Sequence, residues 1–269
     1  MTDVPIDATN LERFLFPEEK QSVIGDFRGY FLTKRLNFIT TLNNYPDISS
    51  LYFQVDQNWL DAIRALVKLQ NKDWIVPIQL MIFCFREMRL AAELLFCCCT
   101  TPGYSHLRSA IESFVQAQKI LRQPELGMVW LFRDKERAEY NKHFKEKLKS
   151  NLFPENSGYA HLHGIWEMLC DAGPHPNVTS PGISSSTSTT ETDVLWGLEF
   201  FEVNRGEISK NILWMIQCWL DMFKSTYNSF YERLSKEPDI LKKYTAQLAE
   251  FSQLRAKYLS PEWPGQRSA

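Results

Sequence analysis

The chain has 269 residues, 44% of them hydrophobic and 13% aromatic, including eight Trp and eighteen Phe. That content excludes disorder over most of the length and supplies enough chain for one large domain or two small ones. Thirty basic and 32 acidic side chains leave a formal net charge of −2, so no global attraction to nucleic acid or to an anionic membrane follows.

Residues 1–10 read as a loose lead-in, with acidic residues and no basic region ahead of an apolar run, which excludes a signal peptide. Pro17-Glu18-Glu19 marks a helix start, and Val23, Phe27, Phe31, Leu36, Ile39 and Leu42 carry the helix to about Asn44, where Tyr45-Pro46 ends it. After a short connection through Leu51, Tyr52 and Phe53, Asp56 is placed to cap a helix bearing Trp59, Leu60, Ile63, Leu66 and Val67. Asn71-Lys72-Asp73 is the next turn.

The stretch from Pro77 to Arg122 predicts a buried helical hairpin around which the rest is organised. Residues 78–99 are apolar on nearly every face, as a helix packed on most sides requires. A membrane span is excluded, because Arg86, Glu87 and Arg89 stop the apolar run well short of the roughly 20 residues a bilayer needs. Thr100-Thr101-Pro102-Gly103 combines a helix stop with turn chemistry and predicts the reversal. Leu107, Ala110, Ile111, Phe114 and Leu121 then form a stripe of helical period.

Arg89 with Glu93 and Arg108 with Glu112 are spaced one turn apart, and the expectation is one ionic network, joined by Arg86, at the centre of the hairpin. Charges buried without partners cost several kcal/mol, so partners are expected. The network either fixes helix register or lines a ligand pocket.

Residues 125–152 predict a further helix, apolar at first and then densely charged. Residues 133–149 carry seven Lys or Arg against four Asp or Glu, with His143 besides. That pattern reads as a solvated helix face, with a local basic surface for an anion or RNA as the alternative. Phe153-Pro154 breaks the helix, and residues 157–171 give a shorter one.

The Pro-, Ser- and Thr-rich stretch after Asp171 is a surface loop, a lid or an edge hairpin. A small β-hairpin is predicted near 183–203, since the β-branched and aromatic content of VLWGLEFFEV suits a strand. Long helices are predicted from Arg205 to about Lys236 and from Pro238 to about Leu259. The resulting fold class is all-α or nearly so: a multi-helix bundle forming one domain over 1–269, with flexible ends at about 1–10 and 260–269.

Six cysteines lie in apolar sequence without a CxxC pair, which argues against zinc and for reduced core residues of a cytosolic protein. His161, His163, Asp171 and His175 contain an HxH pair with a carboxylate and a third imidazole nearby, a donor set suited to Zn, Fe or Mn. No HExxH or ExxH pattern supports it. Dinucleotide, P-loop and nucleophile-elbow motifs are absent, so no cofactor is expected.

The segment HLRSAIESFVQAQKILRQPE, followed after a charged helix by GPHPN and a Ser/Thr-rich loop, resembles a broad group of uncharacterised bacterial helical proteins. The features shared are Arg108 and Glu112 on one helix and the His175-Pro176 turn. That group in turn resembles the HEPN helical superfamily, whose nuclease members cleave RNA without metal through an Arg and a His four to six residues apart. Arg137 and His143 match that spacing. The resemblance implies that Arg137 stabilises the phosphate, that His143 acts as general base or acid, and that Lys142, Lys145, Lys147 and Lys149 hold the RNA backbone.

Three functions therefore stand at the level of sequence. The first is a cytoplasmic ligand- or partner-binding protein using Arg86, Arg89, Glu93, Arg108 and Glu112, covered by the His175 loop. The second is a HEPN-type ribonuclease using Arg137 and His143, in a stress or defence setting. The third is a metal-dependent enzyme built on His161, His163, Asp171 and His175. The partner expected is a small ligand or a protein, with RNA and a homodimer open and a membrane excluded.

Overall fold

A computed structural model describes residues 27–68, 71–172, 185–189, 194–198, 201–202 and 204–260. Helices α1 (Phe27–Asn44) and α2 (Pro46–Leu66) precede a 3-10 turn, Lys72–Trp74, and the pair α3 (Ile75–Phe96) and α4 (Thr100–Arg122). Three short helices follow: α5 (Leu126–Leu131), α6 (Arg137–Phe144) and α7 (Leu148–Leu152). After α8 (Leu162–Ala172) come strands β1 (Ser185–Thr189) and β2 (Val194–Leu198), then α9 (Arg205–Ser229), α10 (Tyr231–Leu234) and α11 (Pro238–Tyr258). The strands pair antiparallel, Ser185 with Leu198 and Thr189 with Val194. No helix among the described residues is long and apolar enough to cross a membrane.

The α3–α4 hairpin lies at the centre, as its hydrophobicity requires. Met81, Cys84, Met88, Ala91, Leu107, Ala110, Ile111 and Phe114 are fully buried in it. Helix α9 crosses it and also packs on α2 and α11, while α8 packs on α4. Trp219 of α9 sits among Tyr52, Trp59 and Phe85, and the Trp59 indole donates to the Trp219 carbonyl at 3.2 Å. Each such apolar side chain, fully buried, contributes about 1.5–3 kcal/mol.

The reversal falls at Cys97–Cys99, earlier than the expected Thr100–Gly103. Cys98 adopts φ 63°, the amide of Cys99 bonds the carbonyl of Leu94 at 2.8 Å, and Glu202 donates its amide to the carbonyl of Cys98. Pro102 instead occupies the first turn of α4, where its missing N–H loses no bond. Gly103 serves packing: a Cβ there would lie 2.9 Å from Leu95 of α3.

Two other expectations are corrected. Helix α2 begins at Pro46, not at Asp56, because proline suits the first helical position and Ile48, Leu51, Tyr52 and Val55 extend the buried stripe backwards. The single helix expected over 125–152 is three short ones, with Lys147 in the left-handed region at φ 44°. A straight helix would carry the charged residues outward, whereas the breaks turn Phe144, Leu152 and Phe153 into the core.

The six cysteines are free. Burial pushes the Cys97 thiol up to about 12 and raises Cys84, Cys98, Cys99, Cys170 and Cys218 in the same direction, which keeps them protonated at neutral pH. The terminal segment before residue 27 and His175 with its loop lie outside the described residues.

Candidate functional site

The charged residues of the hairpin do not form one network. They separate into four clusters, three of them completed by a residue from elsewhere in the chain. Arg86 donates to Glu87 Oε1 at 2.7 Å, and the other oxygen of Glu87 lies 2.7 Å from His106 Nδ1. Arg89 makes a two-pronged pair with Asp56, both bonds 2.7 Å. Glu93 takes Lys34 at 3.1 Å, so the expected Arg89–Glu93 pair is replaced. The expected Arg108–Glu112 pair forms at 3.8 Å, with Lys145 closer to Glu112 at 2.6 Å. The reason is the width of the apolar faces: they fill the hairpin interface, and Arg86, Arg89 and Glu93 are carried to half-exposed flanks. Glu87, not included in the expected network, is buried.

The Glu112 cluster opens onto a cavity. Ser109, Glu112, Ser113 and Gln116 recur at helical spacing on one face of α4 and form its floor. Phe83 of α3, Trp130 of α5 and Tyr140 of α6 wall a space of about 440 Å³, and Arg133 stands at its edge. The Trp130 indole donates to Gln116 Oε1 at 2.8 Å, which fixes that wall. The Arg133 guanidinium lies 4.8 Å over the Trp130 ring. Ser109 and Ser113 donate their hydroxyl protons to carbonyls one turn back, leaving their oxygens as acceptors.

The roof is held from below. Lys119, on α4 and only 5% exposed, donates to the His143 carbonyl at the end of α6 at 3.0 Å and to Asn151 Oδ1 at 3.3 Å. A cation at a helix C-terminus meets the negative end of the helix dipole. Asn151 in turn donates to the carbonyls of Lys142 and Glu146. Tyr140 stacks on the buried Phe144 at 5.2 Å, so this anchoring sets where Tyr140 stands.

The remaining sequence-derived residues are dispersed. Arg137 and His143 both lie on α6, six residues apart, which separates their directions by about 120°. His143 faces Glu139 at 3.4 Å. His161 pairs with Asp221 at 2.9 Å and His163 with Glu167 at 3.3 Å, while Asp171 ends α8. Among the described residues no three His, Cys, Asp or Glu side chains gather as a metal site.

No family model, curated protein or solved structure matches the chain.

Arg108 flanks the cavity floor with its guanidinium 5.6 Å from the Trp166 ring, and its Nε is buried without a partner among the described residues. A second cavity of about 390 Å³ lies beside Tyr104, Asn211 and Trp214, where Tyr104 donates to Asn211 at 2.7 Å and Lys210 holds Glu207. Sequence reasoning picked out Glu112 and Arg108 at the first cavity and missed Phe83, Gln116, Trp130, Arg133 and Tyr140 as its walls. The one available signal was the pairing of Trp130 with Arg133, three residues apart at the point where apolar sequence turns charged.

Proposed function

We propose that this chain is a small-molecule-binding protein whose ligand occupies the cavity between Phe83, Trp130 and Tyr140, without chemistry performed on it. The observation that carries this reading is a half-open cleft of about 440 Å³ combining three aromatic walls with one carboxylate, Glu112, held by its own Lys and Arg. Ligand sites are of this size, and they combine aromatic walls with placed polar groups that fix orientation. A cytoplasmic location fits the six free, protonated thiols.

Trp130→Ala removes one wall and the hydrogen bond that fixes Gln116. In a fragment screen followed by thermal shift, hits on the wild-type chain are expected to be lost in Trp130→Ala, while the variant keeps its helical circular dichroism. Hits retained unchanged in Trp130→Ala would remove the cavity from consideration.

A HEPN-type ribonuclease is the second reading, and one observation favours it: Arg137 is exposed and carries no ion-pair partner among the described residues. Since Arg137 and His143 diverge on one helix, two copies of the chain would each contribute one residue, which makes a homodimer part of this reading. Its test is cleavage of labelled RNA in EDTA, lost in Arg137→Ala and in His143→Ala and partly restored on mixing the two variants. Absence of cleavage at every chain concentration would end it.

A further inference from the structure

The charge around the cavity is unbalanced. Arg133 lines it, and Lys145 and Arg108 reach its one carboxylate, so three cations face a single Glu112. Glu112 is already satisfied by Lys145 at 2.6 Å, whereas Arg133 has no carboxylate partner among the described residues and rests on the Trp130 face alone. The opposite wall carries a cation as well: the Arg86 guanidinium lies 4.3 Å over the Phe83 ring, though Glu87 neutralises it. A cationic ligand would have to displace guanidinium groups from aromatic faces and an ammonium from Glu112, and would gain no unpaired anion in return. An anionic ligand meets two uncompensated positive charges.

We propose that the ligand is a planar anion: an aromatic or heteroaromatic ring bearing a carboxylate or phosphate. This rests on the small-molecule reading above and specifies its chemistry. The ring lies against Trp130, Phe83 and Tyr140, which line the cavity wall. The anionic group meets Arg133 and the outer side of Lys145, where charge-assisted hydrogen bonds are short and strong. Ser109 and Ser113, whose protons are spent on the α4 backbone, offer acceptors and so favour a ring with an amino or hydroxyl donor. The Gln116 oxygen already accepts one bond, from the Trp130 indole.

Isothermal titration of the full chain with three matched probes tests this: 1-naphthoate, 1-naphthylmethanol and 1-naphthylmethylammonium. The expected order is naphthoate tightest, by about tenfold over the alcohol, the factor that 1.4 kcal/mol represents, with the ammonium weakest. Arg133→Gln is expected to bring naphthoate and alcohol together, and added salt to narrow the same gap, since the charges at the cavity edge are exposed to screening. Ammonium binding as tightly as naphthoate, with both lost in Trp130→Ala, would overturn the anion and leave the cavity standing. Binding by none of the three, or binding that Trp130→Ala leaves unchanged, would overturn both.

Discussion

The ammonium of Lys119 donates to the carbonyl of His143 at 3.0 Å, joining a buried lysine of the central hairpin to the end of the helix that roofs the cavity. Truncation in Lys119→Met leaves that carbonyl and Asn151 short of a donor, a loss worth about 1–3 kcal/mol when the group stays buried. The expected result is a lower Tm together with weaker ligand binding, because Tyr140 is then less firmly placed. Burial holds the Lys119 pKa below the ordinary lysine range, and Arg122 acts in the same direction. The unfolded chain therefore binds more protons between that lowered pKa and the unperturbed value of about 10.4, so stability contributed at this site rises with pH across the window. Denaturation of wild type and Lys119→Met over the alkaline range should show the wild type gaining relative to the variant as pH increases.

Two glycines on helices should respond in opposite directions to alanine. At Gly103 the new Cβ would stand 2.9 Å from the buried side chain of Leu95. Overpacking costs about 1–3 kcal/mol, more than the gain of about 1 kcal/mol from helix propensity, so Gly103→Ala is expected to destabilise. Gly164 of α8 has open space around its Cβ position and is exposed. Gly164→Ala should stabilise by about 0.5–1 kcal/mol. Urea denaturation of both variants checks the pair.

The fold was largely legible in the sequence, and for a definite reason. Helices α4, α9 and α11 carry a clear apolar stripe of helical period and α3 is apolar on nearly every face, features a single chain displays without any knowledge of its neighbours. Polar partners are another matter. Asp56 lies 33 residues from Arg89, Lys34 lies 59 from Glu93 and Lys145 lies 33 from Glu112, so spacing within one helix could not find them. Pro46 was ambiguous because proline both ends one helix and starts the next. Phe83, Trp130 and Tyr140 look alike core residues in sequence, and only the breaks between α5, α6 and α7 bring them around one space.

The separation of the hairpin charges into clusters makes a quantitative claim about coupling. A double-mutant cycle on Arg89 and Glu93 should give a coupling energy indistinguishable from zero, since each has a different partner. The cycle on Arg89 and Asp56 should give up to about 1 kcal/mol, the upper range for a well-formed pair near the surface. Comparable coupling in both cycles would restore a single network.

Asp47 ties the start of α2 to the end of α11, accepting from Lys257 and Tyr258, each at 2.7 Å. Burial pushes its carboxyl upward, but the bonds from Lys257, Tyr258 and the Ile48 amide outweigh that and hold the pKa below the ordinary carboxylate value. A depressed carboxylate contributes stability that is complete above its unfolded pKa and is lost as pH falls through the folded one. Acid titration of Asp47→Asn should therefore show a lower plateau near neutral pH and a smaller drop below pH of about 4, where an unperturbed Asp titrates.

Chemical-shift mapping of the isotopically labelled chain titrated with 1-naphthoate bears most directly on the cavity. The account predicts that perturbations concentrate on the Trp130 indole N–H, the Gln116 side-chain amide and the backbone of Ser109, Glu112 and Tyr140, and that they saturate together. Perturbations gathered instead around Tyr104, Asn211 and Trp214 at the second cavity, or no saturable change at Trp130, would contradict it.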